Sequence, residues 1–407
     1  MSWINRFFGL EKEKGVSLKE IPVSNENKNV NLLRSINTEG LDISLPFIDE
    51  HNGRGLKYVP FGEDNLYPDI INQLYLSSAM NAACINFKRW SIIGDGYEWS
   101  NYDTLKTKEK VEIKEFIKLN NFDFSIDKIT TDWIKHGRVI VLLRYDKERK
   151  KYIRFKVIDP AFIRNSHATF MGDIENYYYS SNWFYSNVKQ TFKPYAPGCE
   201  DEYQILEIKN LVGSVVSYGL PDYIAAGNWC KVSGDLALLH KSAIENTVAP
   251  SIIFKYPSIF TPDEEDTFMA SVNNTLKGAK NRNRALLLNS NGKDLLPEID
   301  VVNAPENASL FKQAGEEEKD NISIAHGINP ALMGVQVAGK LGSSNELPFM
   351  ASQFKRTWVK HNKYVIERFI NDICGIFGVH QDFSFNDVKI LDDTIELSEY
   401  KKEDKNK

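Results

Sequence analysis

The chain has 407 residues, a formal net charge of −5 and a hydrophobic content of 42%. This length and composition are sufficient for two or three folded domains with buried cores. The negative net charge argues against a conventional DNA-binding protein, which presents a basic surface. No apolar run approaches the roughly 20 residues of a membrane-spanning helix, so we expect no membrane partner.

The first third of the chain is predicted to pass from a polar arm into helices. Residues 1–55 lack sustained hydrophobic periodicity, which predicts an extended N-terminal arm. Helices are predicted from Pro68, over Ala79–Trp90 and, with polar sequences, within 106–136. A Gly-Asp-Gly turn at Gly94 ends the second helix, and it lacks the further glycine and the lysine of a phosphate-binding loop.

A β-rich region follows these helices. The continuous apolar run Val139–Leu143 predicts a strand buried on both faces, within a hairpin that Asp159 and Pro160 close. An aromatic stretch then alternates with serine and asparagine, which favours strands packed on the sheet over side chains that stack on nucleic-acid bases. Its aromatic residues are Tyr177, Tyr178, Tyr179, Trp183, Phe184 and Tyr185.

A long helix and a small α/β insert come next. The helix is predicted to begin at Pro221, because a first helical turn tolerates the missing N–H of proline, and to end before Pro250. The insert combines the β-rich run Ile252–Tyr256, a helix capped by Thr261 and the apolar run Ala285–Leu288.

Two further helices enclose a glycine-rich loop. One is predicted from Pro305 to His326, because Gly327 is suited to a helix C-terminus. The other is predicted from Glu346, because its apolar residues recur every three, four or seven positions. The tail predicts one or two short strands. Because the predicted helices end before Gln381, removal of the chain after this residue is expected to leave the helical part of the protein largely intact.

Residues for catalysis or metal binding do not cluster in the sequence. The four cysteines form no CxxC pair, and no two of the seven histidines have metal-binding spacing. The carboxylates of Glu316–Glu318 fan over about 200° of a helix and do not converge on one metal ion. We expect no catalytic residue, no cofactor and no metal. The alternative that stays open is a metal-dependent nucleic-acid-processing enzyme that uses the cluster Glu316–Asp320.

Three stretches resemble the portal proteins of tailed bacteriophages, which form the ring at one capsid vertex through which DNA enters and leaves. They are VPFGEDNLYPDIINQL at 59–74, YGLPDYIAAGNW…HKSAIENTVAPSIIF at 218–254 and IAHGINPALMGVQVAGKLGSSNE at 324–346. The resemblance covers most of the chain. It implies an α+β portal fold with a mixed α/β wing, a helical stem, a small α/β clip and a long tunnel helix, with a minimal or absent crown.

The resemblance also divides the chain into segments. These are the N-terminal arm (1–55), the wing (56–220), the first stem helix (221–247), the clip (248–304), the second stem helix (305–328), the tunnel loop (329–346), the tunnel helix with part of the wing (347–378) and a partly disordered C-terminal segment (379–407).

A portal function is what the resemblance implies. The chain would form a homo-oligomeric ring of twelve subunits at the portal vertex of the virion, assembled in the host bacterial cytoplasm, through which double-stranded DNA is packaged and ejected. The implied partners are the major capsid protein, the terminase large subunit, a head-completion or adaptor protein and non-specifically bound DNA. A further alternative is a virion or head-assembly protein that forms no channel.

Particular residues are assigned to the channel on the same basis. The tunnel loop offers flexible glycines and short or singly charged contacts to a phosphate backbone. Its predicted DNA-facing residues are Gln336, Gly339, Lys340, Gly342, Ser343, Ser344 and Asn345. Glu316, Glu317 and Glu318 either face the channel, where they repel DNA, or face outward against the capsid or a neighbouring subunit. The third helix carries a basic excess that either pairs with an acidic neighbour across the ring or is solvated. Its basic residues are Lys355, Arg356, Lys360, Lys363 and Arg368.

Overall fold

The computed structural model describes residues 42–43, 48, 50, 55–185, 188–212, 215–245, 252–257, 286–290, 298–301, 307–335 and 346–387. All of them belong to one structural unit, Ile36–Lys407. Most of the predicted N-terminal arm lies outside the described residues, as does the insert helix predicted at Thr261.

Four helices lead into the sheet, and their bounds agree with the predicted ones within a few residues. They are α1 (Tyr67–Ser77), α2 (Ala79–Ile93), α3 (Thr107–Asn120) and α4 (Phe122–His136). Pro68 occupies the first turn of α1, and the Ser78 hydroxyl caps α2 by accepting a hydrogen bond from the Asn81 backbone N–H. Gly94 ends α2 in a positive-φ conformation.

A six-stranded sheet lies within the segment 56–220, the predicted wing. Its strands are β2 (Arg138–Asp146), β3 (Lys151–Ile158), β4 (Ile163–Asn165), β5 (Tyr177–Tyr179), β6 (Gln190–Pro194) and β7 (Tyr203–Lys209), after a short β1 (Tyr97–Trp99). The strand order is β3-β2-β7-β6-β5-β4, with β6 and β7 parallel and the other neighbours antiparallel.

The prediction that β2 is buried on both faces is confirmed. Val139, Val141 and Leu143 pack with the helices in one core cluster, whereas Ile140 packs with Ile163 and Tyr177 in another. A strand with apolar contacts on both sides reads as a continuous apolar run rather than an alternation.

The aromatic stretch is only partly in strands. Tyr177 is buried in β5, as predicted, but Trp183–Tyr185 form a short 3₁₀ turn. Trp183 is buried beneath this turn, whereas Phe184 and Tyr185 are exposed. Packing on the sheet was therefore the wrong prediction for Phe184 and Tyr185, because the turn directs them away from it.

The second half of the described chain contains the remaining elements. They are α5 (Gly227–Glu245), β8 (Ile252–Pro257), β9 (Leu286–Ser290), β10 (Glu298–Val301), α6 (Asn307–His326), α7 (Glu346–Phe354), α8 (Lys360–Ile376) and β11 (Phe383–Phe385). In the insert, β8 lies between β10 and β9, antiparallel to the first and parallel to the second. The helix predicted to end at His326 ends there.

The helix predicted from Pro221 begins later, at Gly227, after a 3₁₀ turn over Ile224–Ala226. The backbone before this helix is hydrogen-bonded to the end of the sheet. Leu220 N–H donates to the Asn210 carbonyl at 3.0 Å, and Asn210 N–H donates to the Gly137 carbonyl at 2.8 Å. A Cβ on Gly137, whose φ is +64°, would lie 2.1 Å from the Leu220 carbonyl oxygen. Local sequence rules do not include this close approach. Because of it, the helix begins after Pro221.

The third predicted helix is continuous from Glu346 to Ile376. A π-helical turn, Lys355–Val359, joins α7 to α8. Such a turn adds about one residue to the helical repeat and is frequent at functional sites.

The C-terminal strand β11 is part of the core. It pairs antiparallel with β1, and Phe383 and Phe385 are buried in the cluster that contains α4 and α8. The expectation that removal of the chain after Gln381 leaves the helical part largely intact rested on the ends of the predicted helices alone, and the burial of these two side chains contradicts that reasoning.

Candidate channel-lining segments

The predicted tunnel loop is described at both of its ends. On the N-terminal side, Gly327 adopts a left-handed conformation, with φ +65°, directly after α6. Asn329 Oδ1 then accepts a hydrogen bond from the Ala331 backbone N–H at 2.9 Å and caps the turn Pro330–Met333. On the C-terminal side the chain continues as α7. The predicted DNA-facing residues lie outside the described residues: Gln336, Gly339, Lys340, Gly342, Ser343, Ser344 and Asn345.

His326 attaches the N-terminal end of the predicted loop to α2. Its Nε2 lies 3.0 Å from Asn81 Oδ1 on α2, and its ring stacks on Tyr223 with the centroids 4.4 Å apart. The Tyr223 hydroxyl in turn donates to the Lys135 backbone carbonyl at 2.9 Å. Burial, and then the positive charge of Lys88, holds the pKa of His326 well below its ordinary value. The neutral imidazole is thus a structural contact at the helix end.

Trp358, in the π turn, attaches the C-terminal side of the loop. Its Nε1 donates to Asp222 Oδ2 at 3.1 Å, and the Lys88 ammonium lies 4.4 Å from the centroid of its ring. Asp222 Oδ1 also accepts a hydrogen bond from Asn210 Nδ2 at 2.7 Å. Helix α2, the segment before α5 and the helix from Glu346 to Ile376 therefore meet at one polar contact.

Lys88 is the charged centre of this contact, and sequence reasoning missed it. It is 1% exposed, and burial lowers its pKa to about 8 against the opposing attraction of Asp222. A lysine is rarely buried without a partner. Its partners lie more than 100 residues away in the sequence, so no local pattern marks it.

The predicted acidic cluster is divided between two faces of α6. Glu316 and Glu317 are exposed, and Glu317 Oε1 accepts a hydrogen bond from Gln313 at 2.7 Å. Glu318 is buried, accepts a hydrogen bond from Ser233 on α5, and has one carboxylate oxygen without a partner in the described chain. Burial raises the pKa of Glu318, and the Ser233 hydrogen bond opposes this. That Glu316 and Glu317 face a channel stays a prediction.

The basic excess of the third helix is also divided. Lys363 Nζ lies 2.7 Å from Asp387 Oδ1, and Lys355 Nζ lies 3.4 Å from Asp387 Oδ2. These two lysines therefore stabilise the end of the described chain. Arg356, Lys360 and Arg368 point outward at exposed positions.

Within the described ranges, no three His, Cys, Asp or Glu side chains are placed to hold a metal ion. Three of the four cysteines are buried free thiols, and burial raises the pKa of each to about 12: Cys84, Cys230 and Cys374. None of the described helices is long and apolar enough to cross a membrane.

Comparison with known proteins shows the fold. No protein-family model and no curated protein matches the sequence. A chain from the neck of an empty gene transfer agent particle is 14% identical and aligns over 77% of this chain and 82% of its own length, with a TM-score of 0.53. A chain from the neck of the native particle, computed with C12 symmetry, is 14% identical over 78% and 84%, with a TM-score of 0.52.

A third similar structure is an HK97-family phage portal protein from Corynebacterium diphtheriae. It is 12% identical over 79% of this chain and 96% of its own, with a TM-score of 0.44, and the fold assignment does not depend on it. At these identities the likeness shows the fold alone. The chain has the mixed α/β fold of a chain from the neck of such particles, and the predicted α+β fold class is confirmed.

Proposed function

We propose that this chain is a portal subunit, which forms a ring-shaped channel at one vertex of a phage-type capsid and conducts double-stranded DNA. The observation that carries the proposal is the shared fold, over more than three quarters of the chain, with subunits from a particle neck computed with C12 symmetry. A heterologous contact between identical subunits generates a closed ring when its rotation closes, and twelve subunits fit the symmetry of that neck.

The tunnel loop is the proposed point of contact with DNA. Its two ends are fixed to the wing, through His326 on one side and Trp358 on the other. The intervening residues, with glycines at 339 and 342 and one lysine at 340, suit loose and non-specific contacts to phosphates. A conduit needs contacts of this kind, because strong phosphate binding would hinder sliding.

The proposed chain acts mechanically and has no catalytic activity of its own. The energy for DNA movement would come from the terminase large subunit, docked at the clip (248–304), and a head-completion or adaptor protein would later replace it there. The major capsid protein would surround the ring. The assembly would take place in the bacterial cytoplasm and the mature location would be the virion.

A packaging experiment tests the proposed role of the loop. We expect deletion of 336–345 to leave ring assembly intact and to reduce the nuclease-protected DNA in particles, because the deletion spares both anchors. Lys340→Ala should reduce DNA retention more than Lys147→Ala, a matched change in the hairpin turn between β2 and β3. Unchanged packaging in the deletion variant would contradict the proposed DNA contact, and loss of rings would show that the loop is structural.

A further inference from the structure

The helix formed by α7, the π turn and α8 leaves one face exposed along most of its length. Phe349 and Tyr364 are 71% and 62% exposed, and Arg356, Lys360 and Arg368 are exposed beside them. Steps of seven, four, four and four residues place these side chains on one side of a helix. We call Phe349, Arg356, Lys360, Tyr364 and Arg368 the basic–aromatic face.

The charges of this face have no partner in the described chain. Lys355 and Lys363, which belong to the same helix, both pair with Asp387. No ion pair joins Arg356, Lys360 or Arg368 to any described carboxylate, as far as the described ranges extend. Two largely exposed aromatic rings on the same helix face as unpaired cations are typical of a surface that becomes covered.

A complementary face lies on α6. Glu316, Glu317 and Asp320 are exposed, and Ile324 is 75% exposed one turn further on. These positions lie within about 100° of one another around the helix, over a length of about 12 Å. We call Glu316, Glu317, Asp320 and Ile324 the acidic–apolar face. Glu318 and Ile322, on the opposite side of the same helix, are buried.

The two faces belong to one body of the subunit. Both α6 and the π turn pack on α2. The His326–Asn81 contact fixes α6 to α2 at 3.0 Å, and the Lys88–Trp358 contact fixes the π turn to the same helix at 4.4 Å. Each subunit therefore carries both faces in a fixed relation, as a ring contact requires.

We propose that the basic–aromatic face of one subunit packs against the acidic–apolar face of the next. This rests on the proposed function, because in a ring each subunit presents two different faces to its two neighbours. Three positive charges meet three negative charges, and Phe349 or Tyr364 covers Ile324. Charge complementarity of this kind fixes the orientation of the partner and disfavours wrong pairings.

Two charge reversals test the pairing. The variant Arg356→Glu/Lys360→Glu makes both faces acidic, and the variant Glu317→Lys/Asp320→Lys makes both faces basic. Like charges then meet at every contact, so we expect neither variant to form rings alone. In an equimolar mixture, alternating subunits restore opposite charges at every contact, and rings should return. Sedimentation velocity and negative-stain electron microscopy measure both outcomes.

Controls separate this proposal from the proposed function. Lys114→Glu/Lys118→Glu, on exposed positions of α3, changes the net charge as much as the first variant and should leave rings intact. Absence of rings in the wild-type protein would refute the portal proposal itself. The pairing would be overturned if the wild type forms rings and either charge-reversal variant alone also forms normal rings. It would also be overturned if the wild type forms rings but the mixture of the two variants does not.

Two further results also test the proposed contact between neighbouring subunits. Normal rings that lose DNA retention in the Arg356→Glu/Lys360→Glu variant would assign the basic–aromatic face to DNA and overturn the subunit contact. If a reversal unfolds the subunit, Arg356→Gln/Lys360→Gln replaces it. We then expect the subunit concentration below which rings dissociate to be at least about tenfold higher for this variant than for the wild type. An unchanged concentration would overturn the proposal.

Discussion

Replacement of Phe383 by alanine tests whether the C-terminal strand β11 holds the wing together. The Phe383 side chain is 2% exposed. Its ring centroid lies 5.1 Å from that of Tyr97, 5.8 Å from that of Trp99 and 5.8 Å from that of Phe122. The substitution removes this ring from the centre of an aromatic cluster and leaves a cavity between β1 and α4.

The expected loss is large for one side chain. Truncation of a buried phenylalanine to alanine costs about 3–5 kcal/mol of unfolding free energy, whereas a whole domain is stable by about 5–15 kcal/mol. The backbone contacts of Phe383 to the Asn371 side chain, at 2.7 Å and 3.1 Å, do not depend on the ring. The loss therefore measures the packing of the ring rather than the attachment of the strand.

Urea unfolding followed by circular dichroism measures this loss, at one fixed subunit concentration because assembly stabilises the folded chain. Phe184→Ala is the matched control, since Phe184 is 60% exposed and its truncation should cost less than about 0.5 kcal/mol. Removal of the chain after Gln381 should cost more than Phe383→Ala, because it also removes Phe385. Equal stability of Phe383→Ala and the wild type, within about 0.5 kcal/mol, would refute the reasoning.

Two further predictions concern buried charges. Arg138 is ion-paired with Glu207, and both side chains are almost fully buried. Arg138→Met leaves the buried Glu207 carboxylate without its cation, so it should lower the free energy of unfolding in urea by about 3–5 kcal/mol. The double variant Arg138→Met/Glu207→Met should recover part of this loss, and no recovery would contradict the explanation. Folded Lys88 releases its proton near pH 8, whereas the unfolded side chain keeps it up to about pH 10.5. As the pH rises between these two values, the free energy of unfolding of the wild type should therefore increase relative to that of Lys88→Met, by at most about 1.4 kcal/mol per pH unit. Below pH 8 the difference between the two proteins should not change with pH. A difference in unfolding free energy that is constant from pH 7 to 10 would contradict the lowered pKa.

Elements with a strong periodic pattern were predictable from the sequence. The apolar run of β2 and the recurring apolar residues from Glu346 onward each indicated one structure, because burial on both faces of a strand and on one side of a helix leave distinct patterns. The start of α5 was not predictable. Pro221 favours a helix start locally, but Leu220 is hydrogen-bonded to Asn210 and lies against Gly137, which is far away in the sequence, and these contacts hold the backbone in another conformation.

In the candidate site, too, the bounds of the elements were predictable from the sequence, whereas the contacts between distant residues were not. The bounds of the predicted loop follow from glycines and helix signals, and helices end and begin close to both bounds. The residues that hold its ends were not predictable, because Asn81 and His326 are 245 positions apart and Lys88 contacts a tryptophan 270 positions away. The π turn has no sequence rule of its own. The structure shows it in the backbone of Lys355–Val359, where Trp358 contacts both Asp222 and Lys88.

We propose above that copies of this chain enclose a channel for DNA. Cryo-electron microscopy of the purified full-length protein tests it most directly, through the symmetry of end-on views and the position of residues 336–345 in the reconstruction. We expect closed rings with a central hole wide enough for duplex DNA and with these residues at its wall. Closed rings with these residues on the outer surface, or monomers at all concentrations under capsid-assembly conditions, would contradict it.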